Sequence, residues 1–329
     1  MQDEKLLDEY KANGKQRDWD GRKEKTETLG ESYRRLKNTS KAARVYWCGS
    51  WLEFKNYYEK FERKFHGANF CKVRLCPMCA ARRSEKIFIQ VSKVMNYVQE
   101  NKDYRYIFLS LTVRNVSGDD LSKMLDDIFY GFNKLSKRRE FKKIAKGTFR
   151  SLEVTRNEKT GEYHPHIHMI IGVNKSYFTG DSNYIGQLKW RQLWQECMKL
   201  DYDPWVDVRT IRASIKQNSR ADMKYGAAVA EISKYTVKAS NYLVAGDPDQ
   251  TDETVAILDA ALKDRRLVAF GGEFKKIHKQ LNLDDPLSGD LAKIGDETEI
   301  RNDLKYIIEH WKWNTGFKHY FLDHEKNPE

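Results

Sequence analysis

Three histidines alternate along one short segment of the chain. His164, His166 and His168 occupy every second position of the segment HPHIHMII. The apolar residues around them predict a β-strand, in which side chains two positions apart project from the same face. One strand histidine is usually only a half-buried polar residue, but three of the chain's eight histidines share this face. The pattern therefore predicts a metal site formed by His166 and His168.

A carboxylate is expected to complete this metal site. The segments FRSLEVTRN and YHPHIHMIIGV predict two strands joined by a turn. If Asn157 pairs with Glu162 across that turn, side chains further along the hairpin are also paired. Glu153 then lies directly opposite His166, whereas a slip of one residue would turn it to the other face as a solvated charge. We expect Glu153 and the two histidines to bind Mg²⁺ or Mn²⁺, with coordination positions left open for a phosphate.

A second group of reactive side chains lies in the segment AEISKYTVK. We predict a helix over Ala221 to Ser240, on which Glu231 and Tyr235 are four residues apart and Lys238 follows on the next turn of that face. Taken alone, such a pattern is most often a surface pair beside a helix tyrosine. Beside a metal-binding hairpin it suggests that Tyr235 attacks a phosphodiester and that Glu231 activates a later nucleophile. A phenol with a pKa near 10 needs the metal ion to assist this attack.

Cysteines form the third group. Cys71, Cys76 and Cys79 have the spacing C-x4-C-x2-C, and CPMC is typical of a turn that directs two thiolates at one ion. We therefore predict a Zn²⁺ site, with Cys48 or His66 as the fourth ligand; the alternative is a set of buried free thiols. A closed thiolate site is structural, because phosphate chemistry needs an open coordination position.

The composition favours a globular protein that binds a polyanion. The 329 residues have a formal net charge of +11, and 40% of them are hydrophobic. Five cysteines are too few for a disulfide scaffold, and Cys197, in an apolar helical segment, is most simply a core thiol. We find neither a secretion signal nor an apolar run of the roughly 18 to 20 residues that span a membrane, so we expect a cytoplasmic protein.

Basic residues are concentrated in two places. A predicted helix from Leu121 to Lys146, with Ser117 as its N-cap, ends in the basic stretch KLSKRREFKKIAKG. Each lysine by itself is more often a solvated surface charge, but together they form a candidate phosphate-binding surface. The candidate DNA-binding residues are Lys137, Arg138, Arg139, Lys142 and Lys143, with Arg82 and Arg83 after the CPMC turn.

The strands that position these groups are also predicted. YIFLSLTVRN, residues 106 to 115, alternates so that Ile107, Leu109 and Leu111 share one face and Ser110 and Thr112 the other. We also predict a helix over 185–200, a strand over 205–212, a helix over 253–263, the strand RRLVAFG and the helix EFKKIHKQL. We divide the chain into a charged arm (1–40), a zinc-binding module with a helix (41–100), a nuclease core (101–245) and a C-terminal α/β extension (246–329).

In combination, the motifs FLSLTVRN, HPHIHMII, EISKYTVK and CKVRLCPMC resemble those of the replication initiators of rolling-circle plasmids of Gram-positive bacteria. These proteins belong to the single-tyrosine branch of the HUH endonuclease superfamily. The resemblance implies that His166 and His168 are the two histidines of the HUH motif, that Tyr235 is the nicking tyrosine and that Glu231 is the terminating carboxylate. His164 lies outside that motif and has no assigned role.

The resemblance also implies a fold, a reaction and partners. The expected fold is α+β, with a central antiparallel sheet of about five strands flanked by helices and a small zinc-binding module before the first strand. The expected reaction cleaves one strand at a plasmid origin, leaves a 5′-phosphotyrosine and a free 3′-OH, and later rejoins the displaced strand. The sequence G-x-x-x-x-G-K-[ST] does not occur, so we expect the chain to depend on a host helicase and polymerase.

Two other functions remain open from the sequence. A zinc-containing DNA-binding regulator without catalysis would leave the histidine face, Glu231 and Tyr235 unexplained. A related transposase or relaxase of the same superfamily would use similar chemistry in another role.

Overall fold

The fold combines helices with two antiparallel sheets. The structure is a computed structural model that describes residues 6–8, 16–57, 62–179, 183–212, 225–234, 236–295 and 305–326. Its helices are α1 (Trp19–Arg35), α2 (Thr39–Tyr46), α3 (Pro77–Asn101), α4 (Gly118–Lys137), α5 (Arg139–Ile144), α6 (Gln187–Met198), α7 (Gly226–Ile232), α8 (Pro248–Leu262) and α9 (Gly272–Gln280). Its strands are β1 (Trp51–Tyr57), β2 (Glu62–Ala68), β3 (Arg105–Thr112), β4 (Gly147–Arg156), β5 (Tyr163–Val173), β6 (Val206–Ile211), β7 (Val268–Gly271), β8 (Tyr306–Asn314) and β9 (His319–Leu322).

The chain divides into two structural units. The first comprises Met1–Lys86, Leu243–Val255 and Ser288–Glu329, and the second Ile87–Tyr242 and Ala256–Leu287. The first unit contains a sheet of strand order β2-β1-β8-β9, and the second a sheet of order β6-β3-β5-β4-β7. The predicted α+β class and five-stranded antiparallel sheet are confirmed. The four-stranded sheet was not predicted.

Strand pairing also divides the segment that we expected to form a C-terminal extension. Strand β7 pairs with β4 in the second unit, whereas β8 pairs with β1 in the first. Which strand an isolated segment joins depends on long-range packing, and the order of residues in the chain does not reveal it.

An amphipathic α1 builds part of the first unit's core. The Asp18 side chain caps α1 by accepting a hydrogen bond from Gly21 N at 3.0 Å. Trp19 and Leu29 are buried, and the Trp19 ring stacks on Phe65 of β2 at a centroid distance of 5.1 Å. The segment predicted as a charged arm therefore includes a helix with a buried face.

The two faces of the five-stranded sheet differ in how far they are buried. On the face away from the histidines, four side chains are fully buried: Leu152, Val154, Ile167 and Met169. On the histidine face, a row of apolar side chains joins a core cluster with α3, α7 and α9; it includes Phe108, Phe149 and Ile170. The next rows on this face are polar, and they contain the candidate metal site.

The basic helix is interrupted. We predicted one helix to Lys146, but α4 ends at Lys137 and α5 begins at Arg139, because Arg138 has extended backbone angles (φ −60°, ψ 142°). The predicted cap is confirmed, since Ser117 Oγ accepts a hydrogen bond from Asp120 N at 3.2 Å. Among the described helices, none combines the length and apolar character that crossing a membrane requires.

Candidate active site

The β4–β5 hairpin has the predicted register. Asn157 N donates to Glu162 O at 2.8 Å, and Glu153 pairs directly with His166. Gly161 closes the turn with φ +73°, a conformation that favours glycine. The prediction that Glu153 and His166 share one face is therefore confirmed.

Three donor atoms converge at this point of the sheet. Glu153 Oε2 lies 3.1 Å from His168 Nε2 and 3.4 Å from His166 Nε2, and each of the three side chains is only 12–13% exposed. Adjacent ligands of an octahedral ion with bonds of about 2.1 Å are separated by about 3.0 Å. The spacing of Glu153, His166 and His168 therefore fits one divalent ion, with further positions free for substrate oxygens.

Each imidazole is also held through Nδ1, the ring nitrogen that does not face Glu153. His168 Nδ1 lies 2.9 Å from Ser110 Oγ on β3, and His166 Nδ1 lies 3.2 Å from the His164 carbonyl oxygen. Because a carbonyl can only accept, His166 Nδ1 must be the protonated nitrogen in that bond. Donation from Nδ1 leaves the Nε2 lone pair available for a metal ion.

The electrostatics of the site favour a charged carboxylate. Burial opposes ionisation of Glu153, but hydrogen bonds and charge interactions with His166 and His168 outweigh burial and lower the Glu153 pKa. Burial, together with the nearby His166, lowers the pKa of His164. The His164 ring lies 5.2 Å from the His166 ring, centroid to centroid, so it extends the imidazole row beyond the donor group.

The predicted long helix around Tyr235 is wrong in its extent. Helix α7 ends at Ile232, and Lys238 has an extended backbone (ψ 146°). Glu231 and Lys238 therefore do not share a helix face, and Tyr235 lies outside the described residues. The helix ends because the chain turns towards β4, where the Thr236 carbonyl accepts a hydrogen bond from Val154 N at 2.7 Å.

Glu231 is held by a residue that the sequence did not single out. Arg209 on β6 forms an ion pair with Glu231, and its guanidinium lies 4.7 Å from the centre of the Phe108 ring. Arg209 pairs with Phe108 and Asp207 pairs with Ser110, so these β6 residues occupy the histidine face of the sheet. The alternation in WVDVRTIR was the signal that could have identified them.

The four cysteines of the first unit form one cluster. Cys48 Sγ lies 3.6 Å from Cys79 Sγ and 3.5 Å from Cys76 Sγ, and Cys71 Sγ lies 3.7 Å from Cys79 Sγ. Tetrahedral zinc with Zn–S bonds of about 2.3 Å places its sulfurs about 3.8 Å apart. The cluster fits this geometry, and of the two candidate fourth ligands it is Cys48 that joins it.

The cysteine cluster is closed to solvent. All four side chains are buried, and the backbone N–H groups of Cys71 and Lys72 donate to Cys48 Sγ and Cys79 Sγ at 3.3 and 3.2 Å. Burial opposes ionisation of Cys76, but hydrogen bonds with the other three cysteines outweigh it and lower its pKa. Hydrogen bonds with Cys71, Cys76 and Cys79 raise the pKa of Cys48, and burial raises that of Cys79. These features suit a structural metal site.

The candidate DNA-binding residues differ in accessibility. The prediction that Arg82 contacts DNA is wrong. Its side chain is 1% exposed and donates to the carbonyls of Leu291 and Ala292 at 2.9 and 3.0 Å. Arg82 therefore stabilises the first unit and is not accessible to DNA. Arg83 is partly exposed and donates to Val73 O. Arg138 pairs with Glu196, whereas four basic residues of α4 and α5 are exposed: Lys137, Arg139, Lys142 and Lys143.

Comparisons with known proteins identify the family of this chain. A family model described as "Replication protein" matches residues 62–321. The chain is 40% identical to "Protein rep" of Bacillus amyloliquefaciens, over 97% of this chain and 98% of the relative. It is 35% identical to "Protein rep" of Streptococcus pneumoniae, over 98% and 96%, and 36% identical to a "Replication protein" of Staphylococcus aureus, over 71% and 97%. No solved structure matches.

The chain therefore belongs to the replication protein family. This membership confirms the resemblance to the rolling-circle plasmid replication initiators that the motifs indicated.

Proposed function

We propose that this protein initiates plasmid replication by nicking one DNA strand at the origin with Tyr235. The tyrosine hydroxyl gives up its proton to solvent as its oxygen attacks the scissile phosphorus. The bond from phosphorus to the 3′ oxygen breaks, and that oxygen takes up a proton from solvent to become the 3′-OH primer. The enzyme remains joined to the 5′ end through a phosphotyrosine. The observation that carries the proposal is the convergence of Glu153, His166 and His168 on one point, in a chain of the replication protein family.

Glu153, His166 and His168 are proposed to hold the metal ion that makes the scissile phosphate more electrophilic. Mg²⁺ or Mn²⁺ at this site would polarise the scissile phosphate and stabilise its developing charge. The position of such an ion depends on the two imidazoles, which are oriented by Ser110 and the His164 carbonyl. Glu153 contributes the negative charge of the ligand set.

The residue that follows the proposed nucleophile is hydrogen-bonded to a strand of the metal site. Thr236, the residue covalently joined to Tyr235, accepts the hydrogen bond from Val154 N, and Val154 is adjacent to Glu153 in β4. The segment 236–241 is also attached to β4 through Asn241 Nδ2, which donates to Val154 O at 3.4 Å. These bonds support a role for this segment at the metal site.

Glu231 is proposed to act in the terminating step, when a second nucleophile releases the enzyme. Its carboxylate is 32% exposed and is held on the histidine face by Arg209, so it is both positioned and accessible to solvent. Lys238 is exposed and is proposed to contact a DNA phosphate near the nick.

The remaining assignments follow from the same function. The Cys48, Cys71, Cys76 and Cys79 cluster is proposed to bind a structural Zn²⁺. Arg83 and the exposed basic residues of α4 and α5 are proposed to contact origin DNA, with strand separation and synthesis left to a host helicase and polymerase in the cytoplasm.

A covalent-adduct assay tests the central step. Purified protein is incubated with a supercoiled plasmid that bears its origin and Mg²⁺ or Mn²⁺, and the protein-linked 5′ end is detected on a denaturing gel. Tyr235→Phe should abolish both nick and adduct while DNA binding stays within about twofold, because only the nucleophilic oxygen is removed. Tyr225→Phe is the matched control, since it removes only a hydroxyl bonded to Gln99. Nicking by Tyr235→Phe would transfer the role to another residue.

The terminating step is tested separately. Glu231→Ala should form the covalent adduct at a near-normal rate but release it slowly, so that adduct accumulates over a time course. An equal loss of nicking and release would make Glu231 an orienting residue. DNA binding without any adduct would instead favour the non-catalytic regulator.

A further inference from the structure

Trp205 is a large aromatic residue left exposed beside the metal-binding strands. Its residue surface is 62% exposed, although the flanking Pro204 and Val206 are buried. Because both neighbouring residues are buried, the backbone that carries the indole is held in place. Tryptophan is highly buried on average, so its exposure gains meaning from its position beside a functional site.

The register places Trp205 next to the polar row of the sheet. Val206, the first residue of β6, pairs with Leu111, so the position before it is level with Thr112. Thr112 Oγ1 donates to the Trp205 carbonyl at 2.7 Å, and Thr112 itself pairs with His166. Trp205 is therefore level with a metal-binding residue, two strands away across β3.

The alternation of β6 gives the side of the sheet. Asp207 and Arg209 lie level with Ser110 and Phe108, whose side chains are on the histidine face. Trp205 directly precedes β6, so continuing this alternation by one residue puts position 205 in the same series. Adjacent strands are about 4.8 Å apart, which puts this position about 10 Å from β5.

We propose that Trp205 is a substrate-binding residue that stacks on an unpaired nucleobase close to the scissile phosphate. This inference rests on the proposed function, because it requires single-stranded DNA at the metal site. A distance of about 10 Å corresponds to about three nucleotides at the 3.4 Å rise of a strand in duplex DNA, and to fewer in an extended single strand. Every base offers an aromatic face, and exposed aromatic side chains in basic proteins bind single strands in this way.

Binding measurements on single-stranded oligonucleotides that span the nick site test this role. They are made on the full chain in the Tyr235→Phe background, in which cleavage does not interfere. Trp205→Ala should raise the Kd by on the order of 5- to 150-fold, the loss expected for one stacked base. Trp205→Phe should restore most of the affinity, because a phenyl ring also stacks.

An abasic scan identifies the base. One oligonucleotide is made for each position within four nucleotides of the nick, with the base at that position removed. In the protein with Trp205, one abasic position should weaken binding about as much as Trp205→Ala does. In Trp205→Ala the same abasic position should have no further effect, because the two changes remove the same contact.

Trp47→Ala is the matched control, since Trp47 is equally exposed at 62% but belongs to the other structural unit. It should leave the Kd within about twofold, and thermal unfolding should show that both tryptophan variants remain folded. An unchanged Kd for Trp205→Ala, or an abasic effect that persists in this variant, overturns the inference. If the wild-type protein forms the covalent adduct but Trp205→Ala leaves the Kd unchanged, only the stacking role is refuted. If Trp205→Ala raises the Kd but the wild-type protein forms no adduct, only the nicking function is refuted.

Discussion

The two candidate metal centres of this protein differ in ligands, burial and position. The cysteine cluster offers four sulfurs, all buried, and it belongs to the unit with the four-stranded sheet. The Glu153, His166 and His168 group offers two nitrogens and a carboxylate on the face of the five-stranded sheet, with each side chain still 12–13% exposed. The first leaves no position for a substrate, whereas the second leaves several.

The ligands and burial of the two centres suit different roles. A closed thiolate site contributes its binding free energy to folding. An open site of nitrogen and oxygen ligands binds hard ions that act on phosphates. Variants of the two centres should therefore fail in different ways, and three experiments test that separation.

The largest effect is expected at the cysteine cluster. Cys76→Ser should lower the free energy of unfolding by at least about 4 kcal/mol, because loss of a structural metal is among the most destabilising single changes. Denaturant unfolding measures the change, and elemental analysis should fall from one zinc per chain towards zero.

Cys197→Ser is the control for this prediction, since Cys197 is also a buried cysteine but lies outside the cluster. It should cost only about 1 kcal/mol and leave the zinc content unchanged. A zinc-free wild-type preparation that is stable and fully active would remove the structural role from the cluster.

An intermediate effect is expected at the open centre. There, a substitution should reduce nicking activity and leave folding unchanged. His168→Ala should reduce nicking by roughly 10³-fold, because a metal ion contributes several kcal/mol of transition-state stabilisation. The melting temperature and the zinc content should stay close to those of the wild type. Nicking rates on supercoiled plasmid and thermal unfolding measure the two properties.

His164→Ala is the matched control on the same strand face. Since His164 lies outside the donor group, its replacement should change the nicking rate by less than about tenfold. If both alanine variants lose activity equally, His164 is a further member of the site and the ligand set must be revised.

The smallest effect is expected from the residue that orients a ligand. Ser110→Ala removes the hydroxyl that holds His168 Nδ1 and should weaken Mn²⁺ binding by about 10- to 100-fold. Isothermal titration of the open centre with Mn²⁺ measures this change.

Ser151→Ala provides the comparison, because Ser151 pairs with His168 from the other side and is as buried as Ser110. Ser110, and not Ser151, makes the hydrogen bond to the His168 ring, so Mn²⁺ affinity in Ser151→Ala should remain within about twofold. Equal effects of the two substitutions would mean that packing around His168, and not hydrogen bonding, orients the ring.

Local patterns in the sequence were sufficient for much of the candidate site. Strand alternation and turn chemistry gave the register that pairs Glu153 with His166, since both depend on neighbouring residues only. Cysteine spacing identified three members of the closed cluster for the same reason.

Other features could not be obtained from such patterns. The helix predicted across Tyr235 ends at Ile232, because the Thr236 carbonyl bonds to Val154 N, a residue far away in the chain. Arg82 looked like a surface cation, but its carbonyl partners Leu291 and Ala292 come from a distant segment. In each case a long-range contact outweighed the local preference.

Residue patterns alone were enough to predict the α+β class, the histidine hairpin and its register, three members of the cysteine cluster and the family resemblance. These properties depend on side-chain types and short spacings, which can be read directly from the sequence. Long-range packing in the folded chain was needed to show that Cys48 joins the cluster, that Arg209 holds Glu231 and that β7 and β8 enter different sheets. Those facts depend on which distant segments pack together, and that is set by the burial and hydrogen bonding of the whole chain.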